Sequence, residues 1–335
     1  MQQPASTVKR VTAADVARSL GVSRATVGFV LNNTPGQTIS QQTRTRVLAE
    51  AKRLGYRPHM AAQALASGRT RIILIVLPDW PLDFSLRRHL EEASLALDEA
   101  GYTMVTYTPH PTGQSRPLWE VLEPDVVLSL AGRFSAEHIE SMHAAGVRNM
   151  IPAPDGPVSD YPEQGPELQL RHLYGLGHRR IAFAGSADPR IAELVQLRLE
   201  LAQQTAAELR LEPLRTDRLE LSDESATPAI REWRRQGVTA VAAYNDDIAA
   251  SVAGAALRLG LTLPRDLSVI GHDDAPIASM FQPRLSTIRV DTAGLGRFMA
   301  QVALSAAEGR EVPTHPPALR TGVVQRASTS DAPQP

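Results

Sequence analysis

The chain has 335 residues, 43% of them hydrophobic, which is enough for two or three domains with sizeable cores. It has no cysteine, so disulfides and thiolate metal sites are excluded, and this composition fits a reducing cytoplasm. Residues 1–8 contain no apolar signal region, and the longest apolar run, 72–78, is too short to span a bilayer. We therefore expect a soluble intracellular protein.

The net charge of −1 conceals an uneven distribution of charge along the chain. Residues 1–71 contain eleven lysines and arginines against two acidic residues, a net charge of +9. Of the 35 basic and 36 acidic residues, 24 and 34 therefore remain for the rest of the chain, a net charge of −10. A basic segment on an acidic body is typical of proteins that bind nucleic acid. A basic helix surface that is merely solvated is the alternative.

The first two predicted elements form a helix hairpin. Thr12 is expected to cap a helix over 15–20, which ends at Gly21, and Ser23 to cap a second helix. Two short helices joined by a tight glycine turn are typical of the helix-turn-helix, whose second helix enters the major groove of DNA. Small α-hairpins also occur in proteins that never touch DNA. The apolar side chains of the second helix share one face: Val27, Val30 and Leu31.

A third helix is predicted over 41–54, with Ser40 as its cap and Gly55 as its stop. An alanine-rich segment over 60–66 follows, and so short a helix is marginal alone. We expect this segment to become ordered only against DNA or a second copy of the chain. The apolar residues expected to close a three-helix core from the third helix are Val47, Leu48, Ala51 and Leu54.

From residue 72 onward, short apolar runs alternate with segments of helical periodicity. This alternation predicts an α/β fold with parallel sheets and helices on both faces. The tail over 325–335 is rich in serine and proline and is expected to be disordered. The predicted strands cover 72–77, 102–107, 126–130, 180–184, 240–243 and 267–270, and the clearest helices cover 84–100 and 294–308.

Seven motifs occur in order along nearly the whole chain. Three lie in the basic segment: VTxxDVAxxxGVSRATV at 11–27 followed by VLN at 30–32, LGYRP at 54–58, and SGRT at 67–70. Four lie in the body: LGHRRIAFAG at 176–185, ND at 245–246, LSVIGHDD at 267–274, and PRLSTI at 283–288. Together they resemble the lactose/galactose repressor (LacI/GalR) family of bacterial transcription regulators.

The resemblance implies an all-α helix-turn-helix head and a body of two lobes, like a periplasmic sugar-binding protein, with a ligand cleft between the lobes. The chain would return to the first lobe near 286–290. The implied domains are a disordered arm at 1–10, the DNA-binding domain at 11–58, a hinge helix at 59–70, and the effector-binding and dimerisation domain at 71–324. Within that domain, lobe 1 would take about 71–150 and 288–324, and lobe 2 about 151–287.

Residue-by-residue matching to the family places Arg24, Ala25 and Phe29 at positions that read bases. Arg24 can donate a bidentate pair to guanine, worth ~1–3 kcal/mol of discrimination. Much of the family has arginine where Phe29 stands and serine where Gly28 stands, so the operator is expected to differ from the family's usual half-site. Phe29 contacts either a thymine methyl or the core of the head itself. Candidate phosphate contacts are Thr12, Ser23, Thr26, Asn32, Tyr56 and Arg57.

In the predicted hinge helix, Leu65 matches the family's leucine that is inserted from the minor groove to kink the operator, with Ala62 beside it. Unstacking costs a few kcal/mol and is offset by the contacts that a bend permits. The alternative is that Leu65 forms only the apolar face of a linker helix.

In the predicted cleft, Arg198, Asn245 and Asp273 match the positions that hold effectors in the family. These side chains combine donors and acceptors that suit a small hydroxylated ligand such as a sugar or a polyol. Trp80 and Phe84 follow the first strand of the body and could stack on a sugar face. The alternatives are that Asp273 forms an ion pair within its own lobe and that Trp80 belongs to the core.

The chain departs from the family pattern at two places. His272 stands where the family often has an aromatic or apolar residue, which makes it a further candidate contact. Five prolines lie between 146 and 178, where they forbid much regular structure, and neither Asp155 nor Asp160 can be assigned a role in the cleft. These prolines are Pro152, Pro154, Pro157, Pro162 and Pro166.

No pattern in the sequence indicates catalysis, a cofactor or a metal site. We expect a cytoplasmic, nucleoid-associated repressor that binds pseudo-palindromic operator DNA as a homodimer, with a tetramer as the alternative, and that responds to a small sugar-like effector. A second hypothesis is a DNA-binding regulator whose cleft is degenerate, independent of effectors or responsive to a protein. A third, a solute-binding module with an inactive head, conflicts with the charge of the head.

Overall fold

The computed structural model describes residues 11–31, 36–56, 68–110, 113–130, 132–153, 164–222, 224–316 and 319–333. No helix within these ranges is long and apolar enough to cross a membrane. Several predictions lie outside the described residues: the arm at 1–10, nearly all of the hinge helix, and the candidate residues Asn32, Arg57, Ala62, Leu65, Asp155 and Asp160.

The basic segment folds into three helices: α1 (Ala13–Leu20), α2 (Arg24–Leu31) and α3 (Gln41–Arg53). Thr12 and Asp15 form a reciprocal capping box at the start of α1, and Gly21 ends this helix with a left-handed φ of 64°. A link between α1 and α3 comes from Glu50, which accepts hydrogen bonds from Ser19 and Arg53. The buried core of the head consists of Val16, Ala17, Val27, Val30, Val47 and Ala51.

The prediction that Leu48 closes this core is wrong, because the Leu48 residue is 49% exposed. Val47 and Ala51 are four residues apart and therefore share the inner face of α3, whereas Leu48 is rotated away from that face.

The first sheet of the body has the strand order β2-β1-β3-β4, and every pairing is parallel. Its central strand, β1, is a run of isoleucine, leucine and valine because both of its faces are covered. The elements are β1 (Ile72–Val76), α4 (Phe84–Glu99), β2 (Thr103–Tyr107), α5 (Leu118–Leu122), β3 (Val126–Ser129), α6 (Ala136–Ala144) and β4 (Met150–Ile151).

The second sheet repeats this arrangement with the order β6-β5-β7-β8, again all parallel. The prediction of parallel sheets with interspersed helices is therefore confirmed. The elements are α7 (Gly165–Gly175), β5 (Ile181–Ser186), α8 (Ala192–Glu208), β6 (Arg215–Leu219), α9 (Ala226–Arg235), β7 (Ala240–Ala243), α10 (Asp246–Arg258), β8 (Ser268–Ile270) and α11 (Pro276–Met280).

Two antiparallel strands, β9 (Thr287–Arg289) and β10 (Gly322–Val324), connect the two halves of the body. β9 leads into α12 (Thr292–Glu308), which packs on α4 beside the first sheet, and β10 leads into a tail that packs beside the second. We call the described residues of 72–151 with 292–308 lobe 1, those of 165–286 with 325–333 lobe 2, and β9 and β10 the crossover strands.

The predicted disorder of the tail at 325–335 is wrong for the described residues up to 333. Ser328 and Thr329 are 0% and 4% exposed. The amide of Val269 donates to the carbonyl of Ser328 at 2.8 Å, and the Ser328 hydroxyl donates to the carbonyl of Val269 at 2.6 Å. The polar residues that suggested disorder therefore satisfy backbone groups of β8, which composition alone could not reveal.

Candidate functional site

The start of α2 presents a polar, exposed surface. The Ser23 hydroxyl accepts the amide of Thr26 at 3.0 Å, which caps the helix, and the two hydroxyls lie 2.8 Å apart. Arg24 and Ala25 are exposed in the first turn. The Thr12 hydroxyl donates to Asp15 at 2.7 Å within the capping box and is also exposed. Five of the residues matched to DNA contacts thus lie at the amino-terminal ends of α1 and α2, where helix dipoles favour phosphate.

Phe29 lies one turn after Ala25, on the same side of α2, and is half-buried. Among the described residues of the head, those buried in or packed around the core do not include Phe29. A Cβ added at Gly28 would meet no atom within 4 Å. Tyr56, in contrast, packs against the core, so its ring serves the fold of the head.

Lobe 1 and lobe 2 enclose a cleft of about 350 Å³ between the start of α4 and the loop before α11. Phe84, one of the candidate residues, lines it. Asp83 and Asp247 also line it, although sequence reasoning missed both; a signal for Asp83 was its position before the helical run that starts at Phe84. The lining residues are Leu82, Asp83, Phe84, Arg87, Asp247, Ala275, Pro276 and Ile277.

Arg198 is 8% exposed and is held by groups of lobe 2. Its Nη1 donates to the carbonyl of Tyr244 at 2.7 Å, and its guanidinium carbon lies 4.7 Å from the centre of the Tyr244 ring. Its Nη2 lies 3.9 Å from Oδ1 of Asp273. The expected donor and acceptor are therefore together, and Asp273 does form an ion pair within its own lobe.

Asp273 is 7% exposed and has a φ of 96°, a conformation that L residues rarely adopt. Its Oδ1 lies 2.7 Å from Nδ1 of His272, and its amide donates to the carbonyl of Ile288 at 2.8 Å. His272 is itself 0% exposed; its ring contacts Asp273, and neither residue is among those that line the cleft. Such backbone strain, of about 1–3 kcal/mol, persists only where surrounding bonds impose it.

Asn245 and Trp80 make structural contacts, and neither is among the residues that line the cleft. The side-chain oxygen of Asn245 accepts the amide of Ile248 at 2.9 Å and caps α10, so the amide nitrogen is the group that could donate to a ligand. Trp80 belongs to the loop after β1, yet it is half-buried and packs against the core of lobe 2. The indole therefore joins the two lobes, as the core alternative anticipated in part.

The surroundings of Asp83 and Asp246 disfavour the ionised form of each carboxyl group. Burial raises the pKa of Asp83, opposed by its cap bond from the amide of Leu86, and Asp273 across the cleft raises it further. Asp246 is 1% exposed, and burial raises its pKa to about 7 although the Thr287 hydroxyl and the Ala275 amide both donate to it at 2.6 Å. A Cβ at Gly271 would overlap Asp246, so only glycine fits there.

Two models of known families match the chain, one in the head and one in the body. The family described as bacterial regulatory proteins, lacI family, matches residues 12–59, and the periplasmic binding protein-like domain matches residues 170–329. The transcriptional regulator GalS of Salmonella typhimurium is 30% identical, with 89% of this chain and 91% of GalS covered. The lactose operon repressor of Escherichia coli is 27% identical, with 91% and 87% covered.

Solved structures share the fold over nearly the whole length. The lac repressor dimer bound to operator and the anti-inducer ONPF superposes with a TM-score of 0.76 at 24% identity, with 96% of this chain and 100% of that chain covered. The complex of the transcriptional regulator CelR with cellobiose gives a TM-score of 0.62 at 24% identity, with 95% and 100% covered.

Proposed function

Because the chain belongs to the LacI family of DNA-binding transcriptional regulators, we propose that it is a repressor controlled by a small hydroxylated effector. It would bind a pseudo-palindromic operator as a homodimer. The relatives matched above are transcriptional regulators rather than enzymes. The observation that carries the effector proposal is the cleft between the lobes; Arg198 and Asp273 do not line it, but their charges act on Asp83, which does.

The polar groups around the cleft suit hydroxyl groups better than an apolar ligand. Asp273 supplies carboxylate acceptors, Arg198 supplies guanidinium donors, and Asn245 can donate from its amide. Phe84 provides a ring on the opposite wall against which a sugar could stack. A ligand that contacts both walls binds best when the lobes are closed, so it shifts the population toward the closed arrangement.

DNA recognition would use the exposed start of α2 and the ends of the helices next to it. Arg24, Ala25 and Phe29 would face base edges, and Thr12, Ser23 and Thr26 would contact phosphates, which fix the register of the head but not the sequence it reads. Tyr56, which packs against the core of the head, would contact a phosphate beside them. Four matched residues lie outside the described ranges and remain proposals from the sequence: Asn32, Arg57, Ala62 and Leu65, the last as the leucine inserted into the operator.

Control of DNA binding requires only that DNA and effector favour different arrangements of the lobes. The effector can change operator affinity by no more than the ratio of its own affinities for the two arrangements. The crossover strands and the segment leading to the head are the parts through which such a difference would reach the DNA.

A thermal-shift screen over sugars, polyols and nucleosides, paired with a gel shift on the region upstream of the gene, tests this function. We expect at least one compound both to raise the melting temperature and to change operator affinity. Specific DNA binding that no compound alters would favour the effector-independent alternative. Binding without sequence preference would contradict the proposed function itself.

A further inference from the structure

The two crossover strands are fastened to lobe 2 beside the loop that carries Asp273. β9 and β10 pair with Gly322 opposite Arg289 and Val324 opposite Thr287. The amide of Asp273 donates to the carbonyl of Ile288 on β9, and the amide of Asp274 donates to the Thr287 hydroxyl at 3.3 Å. The residue next to the cleft is therefore bonded through its backbone to the strand that leads back to lobe 1.

Asp274 extends this attachment to the end of β9 and to the segment that follows β10. Its Oδ2 accepts from Nε of Arg289 at 2.7 Å, and its Oδ1 accepts from Nη2 of Arg326 at 2.5 Å. Arg289 ends β9, and Arg326 follows β10 by two residues. One carboxylate thus holds the arginine that ends β9 and an arginine of lobe 2 just after β10, and no part of the proposed DNA or ligand contacts uses it.

Asp274, Arg289 and Arg326 form a triad whose Arg326 end is enclosed by protein. Its side chain is 17% exposed and that of Asp274 is 14% exposed, whereas Arg289 is 62% exposed. Nη1 of Arg326 also donates to the carbonyl of Leu285 at 2.9 Å, and its amide donates to the Ser286 hydroxyl at 2.9 Å. Ion pairs that are partly buried and joined to backbone groups are screened less by salt than exposed ones.

The backbone at this point is unusual in a way that fits a fixed loop. Asp273 and Asp274 have consecutive positive φ values of 96° and 50°. Two such residues in succession stay in place only while surrounding bonds hold them. The carboxylate of Asp274 supplies two of those bonds.

We propose that Asp274 is a positioning residue that locks the Asp273 loop to β9 and to the point where the chain enters lobe 2 after β10, so that the loop and the hinge between the lobes move as one unit. The proposal rests on the proposed function in one respect: a ligand held at Asp273 would act on the hinge through this lock. Without the carboxylate, Arg289 and Arg326 would leave two like charges side by side, and only the bonds from the backbone amides of Asp273 and Asp274 to β9 would tie the loop to the strands, so the lobes would move over a wider range.

The test measures the distance between the two lobes by double electron–electron resonance, a pulsed electron paramagnetic resonance method. Because the chain has no cysteine, cysteines placed at Val121 and Leu221, which are 59% and 67% exposed, can carry the only two spin labels. Labelled protein is diluted with an excess of unlabelled chain, without DNA or effector. The parent should give one narrow distance distribution, and Asp274→Asn should lose the single maximum and give a broad one.

Two further variants make the result decisive. Glu212→Gln removes the carboxylate of an exposed ion pair with Arg180 in the same lobe and should keep the narrow distribution. Arg289→Gln removes only the exposed arm of the triad, should broaden the distribution less than Asp274→Asn, and serves as the readout if Asp274→Asn does not fold. A lower melting temperature with an unchanged distribution would overturn the proposal, since Asp274 would then only stabilise lobe 2. The distance needs neither DNA nor ligand, so it is independent of whether the repressor function holds.

Discussion

Arg198 and Tyr244 are joined twice beside the cleft: the guanidinium donates to the Tyr244 carbonyl at 2.7 Å and lies over its ring at 4.7 Å. These two contacts fix the plane of the guanidinium and leave Nη2 turned toward Asp273. An ammonium group cannot make this pair of contacts, because it is a compact charge without a planar fork. The two contacts to Tyr244 therefore require arginine rather than positive charge alone.

Arg198→Lys is expected to weaken effector binding about tenfold or more, because it loses a charge-assisted hydrogen bond worth about 1.5–3 kcal/mol. The measurement is the concentration dependence of the melting-temperature shift with the compound that stabilises the parent. Arg171→Lys, at an exposed arginine of α7 paired with Glu167 and Glu208, is the matched control and should bind like the parent. An equal response of Arg198→Lys and parent would place Arg198 outside the ligand contacts.

Phe29→Arg is expected to introduce a preference for guanine at one position of each half-site, worth about 1–3 kcal/mol. Selection of DNA sites by the parent and the variant gives the comparison. Leu48→Arg adds the same charge on the exposed face of α3 and should raise general DNA affinity without changing the preferred base. If Phe29→Arg kept the parent's preference and lowered the stability of the head, Phe29 would belong to the core instead.

Removal of residues 326–335 is expected to destabilise lobe 2, unlike removal of 334–335 alone. The longer deletion exposes or orphans the Val269 amide and His178, whose Nε2 lies 3.1 Å from the Ser330 carbonyl. Each buried polar group left without a partner costs about 1–3 kcal/mol. Urea unfolding measures the difference, and equal midpoints for the two deletions would mean that the tail contributes nothing to the fold.

The stability of the protein should depend on pH through Asp246. Its pKa of about 7 in the folded state lies above the ordinary value of 3.8, so between these pH values the folded state binds the proton more tightly than the unfolded state. The free energy of unfolding contributed by this group is therefore greatest below pH 4, falls as the pH rises toward 7, and levels off above it.

The measurement is urea unfolding from pH 4.5 to 8 for the parent and Asp246→Asn. The difference in unfolding free energy between the two should change with pH below 7 and become constant above it. Glu212→Gln serves as an exposed-acid control and should run parallel to the parent. A difference for Asp246→Asn that is constant over the whole range would show that Asp246 is already ionised at low pH.

Local signals in the sequence were sufficient to predict the helices of the head and most strands of the two parallel sheets. The capping box at Thr12 and Asp15 and the apolar run of β1 depend on neighbours in sequence, so they can be read directly. β6 was missed because this exposed edge strand, Arg-Thr-Asp-Arg-Leu, has no apolar pattern. The packed tail was missed because its partners lie about 60 residues away in β8.

The residues around the cleft were likewise predictable only in part. Motif matching singled out Arg198 and Asp273, but it could not tell that His272 is bonded to Asp273 or that the charges of both residues act on Asp83 of the other lobe. The importance of Asp274 was also hidden, because its arginine partners are 15 and 52 residues away along the chain. Contacts between distant segments are set by the tertiary fold, and no local pattern records them.

The most direct test of the central claim is selection of binding sites from a random duplex library by the full-length protein, followed by titration of the selected site at several salt concentrations. A repressor of this kind should enrich a pseudo-palindrome whose half-site differs from the family's usual one at the base facing Phe29. It should bind that site about a thousandfold or more tightly than random DNA, with an affinity that falls as salt rises. Enrichment of no motif, with equal affinity for selected and random DNA, would contradict the claim that α2 reads an operator.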